Sequence, residues 1–236
     1  MLPASVFPPA PHFSRRTPQS LTLRALGVAH PIMKILLSVV LLAALISTGC
    51  ADDLKPLNLK FMLRGYCYAG SRPDKQAFGG YGPSDNAPKR ITTKLSSTRS
   101  LALLALPDES VPFGKSYRGF RLLLMNGTTS EVSLPASDSR LPIIQEALDS
   151  KGEWRPIEYL PESWCGNSSH RVFLPARHYW QFAAPAYTGK QRIRLRFVLQ
   201  QQPPIFSNEI EGSINPAQFK KKRGHTPTDL MDPYSE

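Results

Sequence analysis

The chain has 236 residues and a formal charge of +11, from 29 Lys and Arg against 18 Asp and Glu. A hydrophobic share of 41% excludes a wholly disordered chain and argues against a polytopic membrane protein. The 23 prolines argue against long helical bundles, and 3 cysteines are too few for a disulfide-dense mini-scaffold.

Residues 1–32 hold six prolines, the bases Arg15, Arg16 and Arg24, and no acid. We read them as a disordered leader or a misassigned start, with translation expected to begin at Met33. Met33 to Cys50 then has the parts of a secretory signal: Lys34, an uncharged run from Ile35 to Ile46, and small Ser47, Thr48 and Gly49. The apolar run reaches roughly 18 Å as a helix, short of a ~30 Å hydrocarbon core.

The ending Ser47-Thr48-Gly49-Cys50 resembles the lipobox of bacterial lipoproteins, with Ser47 where that family usually has Leu. The resemblance implies cleavage between Gly49 and Cys50, with diacylglycerol and a fatty acid such as palmitate on Cys50. It also implies a cell-envelope location, and Ala51 points to an outer membrane where two membranes exist. Residues 33–49 are then the signal peptide and residues 50–56 a tether.

Residues 57–216 carry the predicted folded domain. Leu57 to Leu63 alternates and predicts a first strand. Residues 71–90, rich in Gly, Pro, Ser, Asp and Asn, predict a long loop. Leu101 to Leu106 reads as a short buried strand, and Tyr117 to Met125 as a strand ending at the Asn126-Gly127 turn. Glu131 to Leu134 should form a strand that stops at Pro135. Leu141 to Leu148 suits a strand or a short helix, with a hairpin turn at Asp149 to Gly152 leading to Trp154 to Tyr159. Arg171 to Phe182 is read as one strand with Val172, Leu174, His178, Trp180 and Phe182 on one face. Gln191 to Leu199 alternates Ile193, Leu195, Phe197 and Leu199 with Arg192, Arg194 and Arg196. Ile205 to Ile214 is read as the last strand, and residues 217–236 as a disordered basic tail.

Many short strands between turn residues predict an all-β fold. Leu122 to Asn126, Leu174-Pro175 leading to Trp180-Gln181-Phe182, and Tyr187-Thr188-Gly189 leading to Arg192 to Arg196 resemble bacterial immunoglobulin-like domains. The resemblance implies an immunoglobulin-like antiparallel β-sandwich with long loops and disordered termini. It carries no functional residue across.

An exported chain favours a Cys67–Cys165 disulfide, closing a loop of about 100 residues. Trp164, Cys165, Asn167 and His170 form the densest polar cluster. A thiol hydrolase using Cys165 and His170 is the enzymatic alternative, but such sites are normally assembled from distant segments. Trp164 and Tyr179 are candidate sugar-stacking residues, the basis of a carbohydrate- or peptidoglycan-binding alternative. Arg192, Arg194 and Arg196 form a stripe about 13 Å long that could meet anionic lipid or an acidic partner. Neutralisation by Glu153 or Glu158 is the simpler expectation for that stripe. No paired metal-ligand spacing and no nucleotide or nucleic-acid motif is present, so neither cofactor, metal nor nucleic acid is expected. The sequence therefore predicts a non-enzymatic envelope protein, a binding or structural module held to the membrane by lipid, with an envelope protein or glycan as partner.

Overall fold

The computed structural model describes residues 54–92, 99–160 and 166–220. The chain divides between Gly49 and Cys50, and every described residue belongs to the second unit. Residues 1–32, read above as a leader, residues 33–49, read as a signal peptide, and Cys50 lie outside the described residues.

The described chain is all-β. Two antiparallel sheets dominate. One has the order β2-β10-β4-β3, from Lys89–Arg90 (β2), Leu101–Phe113 (β3), Tyr117–Asn126 (β4) and His178–Pro185 (β10). The other is built on β11 (Gln191–Leu199), flanked by β6 (Ile143–Leu148), β12 (Ile205–Phe206) and β13 (Ile210–Ile214), with β7 (Trp154–Pro156) beyond β6. A ribbon pairs β5 (Val132–Ser137) with β9 (Ser169–Leu174). A short parallel pair joins β1 (Leu63–Arg64) to β8 (Glu158–Tyr159).

Alternation puts one face of each large sheet into a shared core. Leu103 and Ala105 of β3, Leu122 and Leu124 of β4, and Trp180 and Phe182 of β10 meet Ile193, Leu195, Phe197 and Leu199 of β11. Phe120 and Phe197 pack edge to face across the sheets with centroids 5.9 Å apart. On β4 the opposite face is covered as well, since Leu123 and Met125 are also buried. Among the described residues no helix is long and apolar enough to cross a membrane.

Several elements differ from their sequence reading. The predicted first strand forms only at Leu63–Arg64, although Leu57 and Leu59 are buried as alternation requires. β3 runs on to Phe113 through a bulge between Leu106 and Ser110, which lets Pro107 sit in the strand without a ladder bond. β5 continues through Pro135, which lies opposite Arg171. Leu141 to Leu148 resolves as strand, because Ile143 to Ala147 pairs with β11. The single strand read over Arg171 to Phe182 is two strands in different sheets. The chain breaks at Pro175 to Arg177, where Arg177 adopts φ 58°. The predicted tail begins with order: Pro216–Phe219 forms a 3-10 turn held by the Asn215 N–H donating to Gln218 Oε1 at 3.0 Å. Residues 221–236 lie outside the described residues.

At the outer edge of β3, Asn208 takes the place of a neighbouring strand. Its Oδ1 accepts from the Ala105 N–H at 2.8 Å, and its Nδ2 donates to the Ala105 carbonyl at 3.0 Å.

Candidate functional site

Residues 71–88 have few apolar side chains to fix them, so polar contacts do the work. The Trp180 indole N–H donates to the Gly70 carbonyl at 2.9 Å. Asn86 Nδ2 donates to the carbonyls of Tyr68 and Gln181 at 2.9 and 3.1 Å, tying the loop to β10. Gly70 is required by close approach, since a Cβ there would sit 2.2 Å from the Ser84 carbonyl oxygen. On the far side, the Gly82 N–H donates to Asp138 Oδ1 at 2.8 Å and Ser139 Oγ donates to the Gly82 carbonyl at 2.8 Å. Asp138 and Ser139 form the two-residue turn after β5, with φ of 48° and 63°. Asp74 Oδ2 accepts from the Arg171 N–H at 2.8 Å. Backbone N–H groups of Gln76 and Arg171 hold the exposed Asp74 carboxyl below its usual range.

The pinned loop leaves two clefts against the β5–β9 ribbon. The larger, about 380 Å³, is lined by Arg72, Asp85, Pro88, Glu131, Phe173 and Pro175. The smaller, about 100 Å³, includes Tyr81, Ser139, His170 and Val172. Ser71, Arg72 and Ser84 line both. Arg72 sits with its guanidinium 3.5 Å from the Phe173 ring centroid and 2.7 Å from Glu131. The cation is therefore oriented while about half of its side chain stays exposed (52%). Phe78, 89% exposed, stands at the loop tip before Gly79 and Gly80, both at positive φ.

His170 is a fastener. Its Nε2 accepts from the Ser139 N–H at 2.8 Å, which assigns the Nδ1–H tautomer donating to the Arg171 carbonyl at 3.1 Å. Tyr81 stacks on the ring at 3.7 Å. Both nitrogens are occupied, so His170 has no free nitrogen to activate a thiol. His178 likewise contacts a backbone carbonyl, that of Ala176 at 2.7 Å. Among the described residues no group of three or more His, Cys, Asp or Glu could hold a metal ion.

Among the described residues, the other predicted site residues do not converge. Gly49, Cys50, Trp164 and Cys165 lie outside the described residues. Cys67 is a free, buried thiol, and its expected disulfide partner, Cys165, lies outside the described residues. It lies in the core, 1% exposed, with its carbonyl accepting from the Leu141 N–H at 2.8 Å. Burial, and next the charge of Glu158, push its thiol pKa well above the usual value. Tyr179 is half-buried on β10, opposite Lys89 and Met125, in a different sheet from the arginine stripe.

The stripe itself is neutralised by carboxylates other than the expected ones. Arg194 pairs with Glu209 at 2.7 Å. Arg196 pairs with Glu146 at 2.8 Å and stacks against both Trp154 and Phe206, 4.3 and 4.0 Å from their ring centroids. Only Arg192, opposite Ser213, has no ion pair among the described residues. We expect Arg196→Ala to lose about 2 kcal/mol, from two stacking contacts and a shielded ion pair. Arg196→Lys should recover less than half, because an ammonium cannot stack between two rings in the same way. Arg194→Ala should stay within about 0.5 kcal/mol of the parent, as an exposed pair. Urea titration of the three variants checks the order.

Glu158 is the residue the sequence concealed. It is 1% exposed, inside the core rather than on the stripe. Its Oε1 accepts from the hydroxyls of Tyr187 at 2.7 Å and Tyr66 at 3.1 Å, and its Oε2 from the Gln145 N–H at 2.9 Å. Burial pushes its pKa up to about 7, and those three donors oppose the rise only in part. The Gln145 side-chain amide, also fully buried, has no hydrogen-bond partner for its oxygen or nitrogen.

Comparison with protein-family models, curated proteins and solved structures finds no match to the chain.

Proposed function

We propose that the chain is a lipid-anchored cell-envelope protein whose immunoglobulin-like body is a binding module. The observation that carries the anchor is the Met33 to Cys50 pattern: a basic start, a short uncharged run and small residues ending at cysteine. Five positions on from Cys50, the Lys55 backbone is already hydrogen-bonded to Ser116 and Arg118 of the body. Support for binding comes from the clefts beside residues 71–88, where a pinned loop holds Arg72 over Phe173 with its charge half open to solvent. An envelope protein or glycan that offers both an anionic group and a flat or apolar surface would suit that pair. A non-catalytic role agrees with the use of both His170 nitrogens in fixed contacts.

Metabolic labelling with a palmitate analogue tests the anchor. The parent is expected to carry label, and Cys50→Ser to lose it and to leave the membrane fraction. Label that persists on the serine variant, or none on the parent, rejects the reading. A photo-crosslinking residue placed at Asp85, on the wall of the larger cleft, tests the binding face against one at Lys151, on a distant hairpin turn. Adducts in cells should form from the first position only; equal adducts from both would reject these clefts as the binding face.

A further inference from the structure

We infer that the edge of the body around residues 55–60 is a docking face for the anionic head groups of the bilayer that holds the anchor. This deepens the lipid-anchor reading and rests on it. Lys55 is fixed beside the β3–β4 turn: its N–H donates to the Ser116 carbonyl at 2.8 Å and its carbonyl accepts from the Arg118 N–H at 2.9 Å. That turn also carries Lys115. Two residues on, the Leu57 carbonyl accepts from the Thr188 N–H at 2.8 Å. Asn215 Nδ2 donates to Asn58 Oδ1 and to the Leu59 carbonyl, each at 2.6 Å, and Asn215 Oδ1 accepts from the Lys190 N–H at 3.4 Å. Lys60 and Lys190 are thereby brought to the same edge.

Lys55, Lys60, Lys115, Arg118 and Lys190 are all exposed, and none makes an ion pair among the described residues. The four segments that meet here, residues 54–60, 111–119, 185–192 and 212–220, contain no Asp or Glu. This sets the edge apart from β11, where Glu146 and Glu209 answer two of the three arginines. The nearest acids in sequence are Asp53 before the first segment, Glu109, which pairs with Arg121, and Glu211, which lies opposite Arg194 on β11.

Chain length selects the partner. Lys55 is five positions on from Cys50, a reach of at most about 17 Å when fully extended. An acyl group on Cys50 would therefore hold this edge close to the head groups, within a few Debye lengths of about 8 Å at physiological salt. The two clefts beside residues 71–88 draw no residue from the four segments, so docking in this way leaves them uncovered.

Lysine footprinting by mass spectrometry of the full acylated protein tests the inference. The protein is reconstituted in vesicles of phosphatidylcholine alone or mixed with phosphatidylglycerol. In the anionic vesicles, modification of Lys55, Lys115 and Lys190 should slow about fivefold, the factor implied by roughly 1 kcal/mol per basic side chain at such a surface. Lys75 and Lys151, exposed elsewhere, should react alike in both. The triple change Lys55→Glu, Lys115→Glu, Arg118→Glu should abolish protection of Lys190 without lowering the unfolding midpoint. Equal rates in both vesicle types, on protein whose Cys50 carries acyl mass, overturn the docking face alone. Absence of acyl mass on Cys50 overturns the anchor and this proposal with it.

Discussion

Trp180→Ala is expected to lose about 3–5 kcal/mol from the cavity alone. A further ~1–3 kcal/mol should follow from leaving the Gly70 carbonyl without its donor. The side chain is fully buried and lies on the core face of β10, so little can relax into its place. Its N–H is also the contact that starts the pinning of residues 71–88, before Asn86 completes it from the other end. The loss is of the order of the whole stability of many domains, about 5–15 kcal/mol. Trp180→Phe separates the two causes, since it keeps most of the ring volume and removes only the donor. Urea unfolding gives the total cost, and hydrogen exchange at Gly70 and Asn86 reports the loop. If Trp180→Phe unfolds and exchanges like the parent, the indole N–H has no part in holding the clefts.

The second large effect is one of pH. Glu158 has a folded-state pKa of about 7 against an ordinary value of 4.5. Below about pH 4.5 both folded and unfolded chains keep this proton, and its effect on stability is nil. Between the two values the unfolded chain releases the proton and the folded chain retains it, so stability falls as pH rises. Above about pH 7 the loss is complete. At about 1.4 kcal/mol per pH unit across that interval, it amounts to about 3 kcal/mol. Asp74 and Asp149 act in the opposite sense at the acid end. Backbone N–H donors lower both pKa values, and the stability they bring is lost as pH falls through the acid range. The urea midpoint should therefore decline from about pH 5 to about pH 8. Glu158→Gln should remove that decline. Its amide can accept from the Gln145 N–H with oxygen and donate to the oxygens of Tyr66 and Tyr187 with nitrogen. A decline of the same size in the glutamine variant would place its cause elsewhere.

These residues also mark where sequence reading stops. β11 was legible because its period of two matches a sheet face that is wet on one side, and the arginines do lie on that face. Their partners were not: Glu146 arrives from β6 and Glu209 from the approach to β13, through register that local pattern does not contain. The split between β9 and β10 was hidden because Val172, Leu174, Trp180 and Phe182 keep the same parity across the break. Only Pro175, and the left-handed Arg177, mark the change of sheet. Residues 71–90 were read as loop, although Lys89–Arg90 pair with β10 as β2, and the clefts depend on contacts with Trp180, Gln181, Asp138 and Arg171, each distant in the chain. Glu158 was invisible for a related reason. Ile157 and Glu158 are consecutive and both buried, which breaks alternation where β7 gives way to the parallel β1–β8 pair. The Cys67–Cys165 pairing came from compartment chemistry, and of that pair only Cys67, a thiol inside the core, is among the described residues.

The amide of Asn208 has a consequence for how copies of this protein meet. An unpaired border strand is a template on which a second chain can polymerise. Along β3 the carboxamide already saturates Ala105, and the bulge with Pro107, Asp108 and Glu109 interrupts the flat run beyond it. A second copy would find little to extend there, so self-association through that border is disfavoured even at high local density.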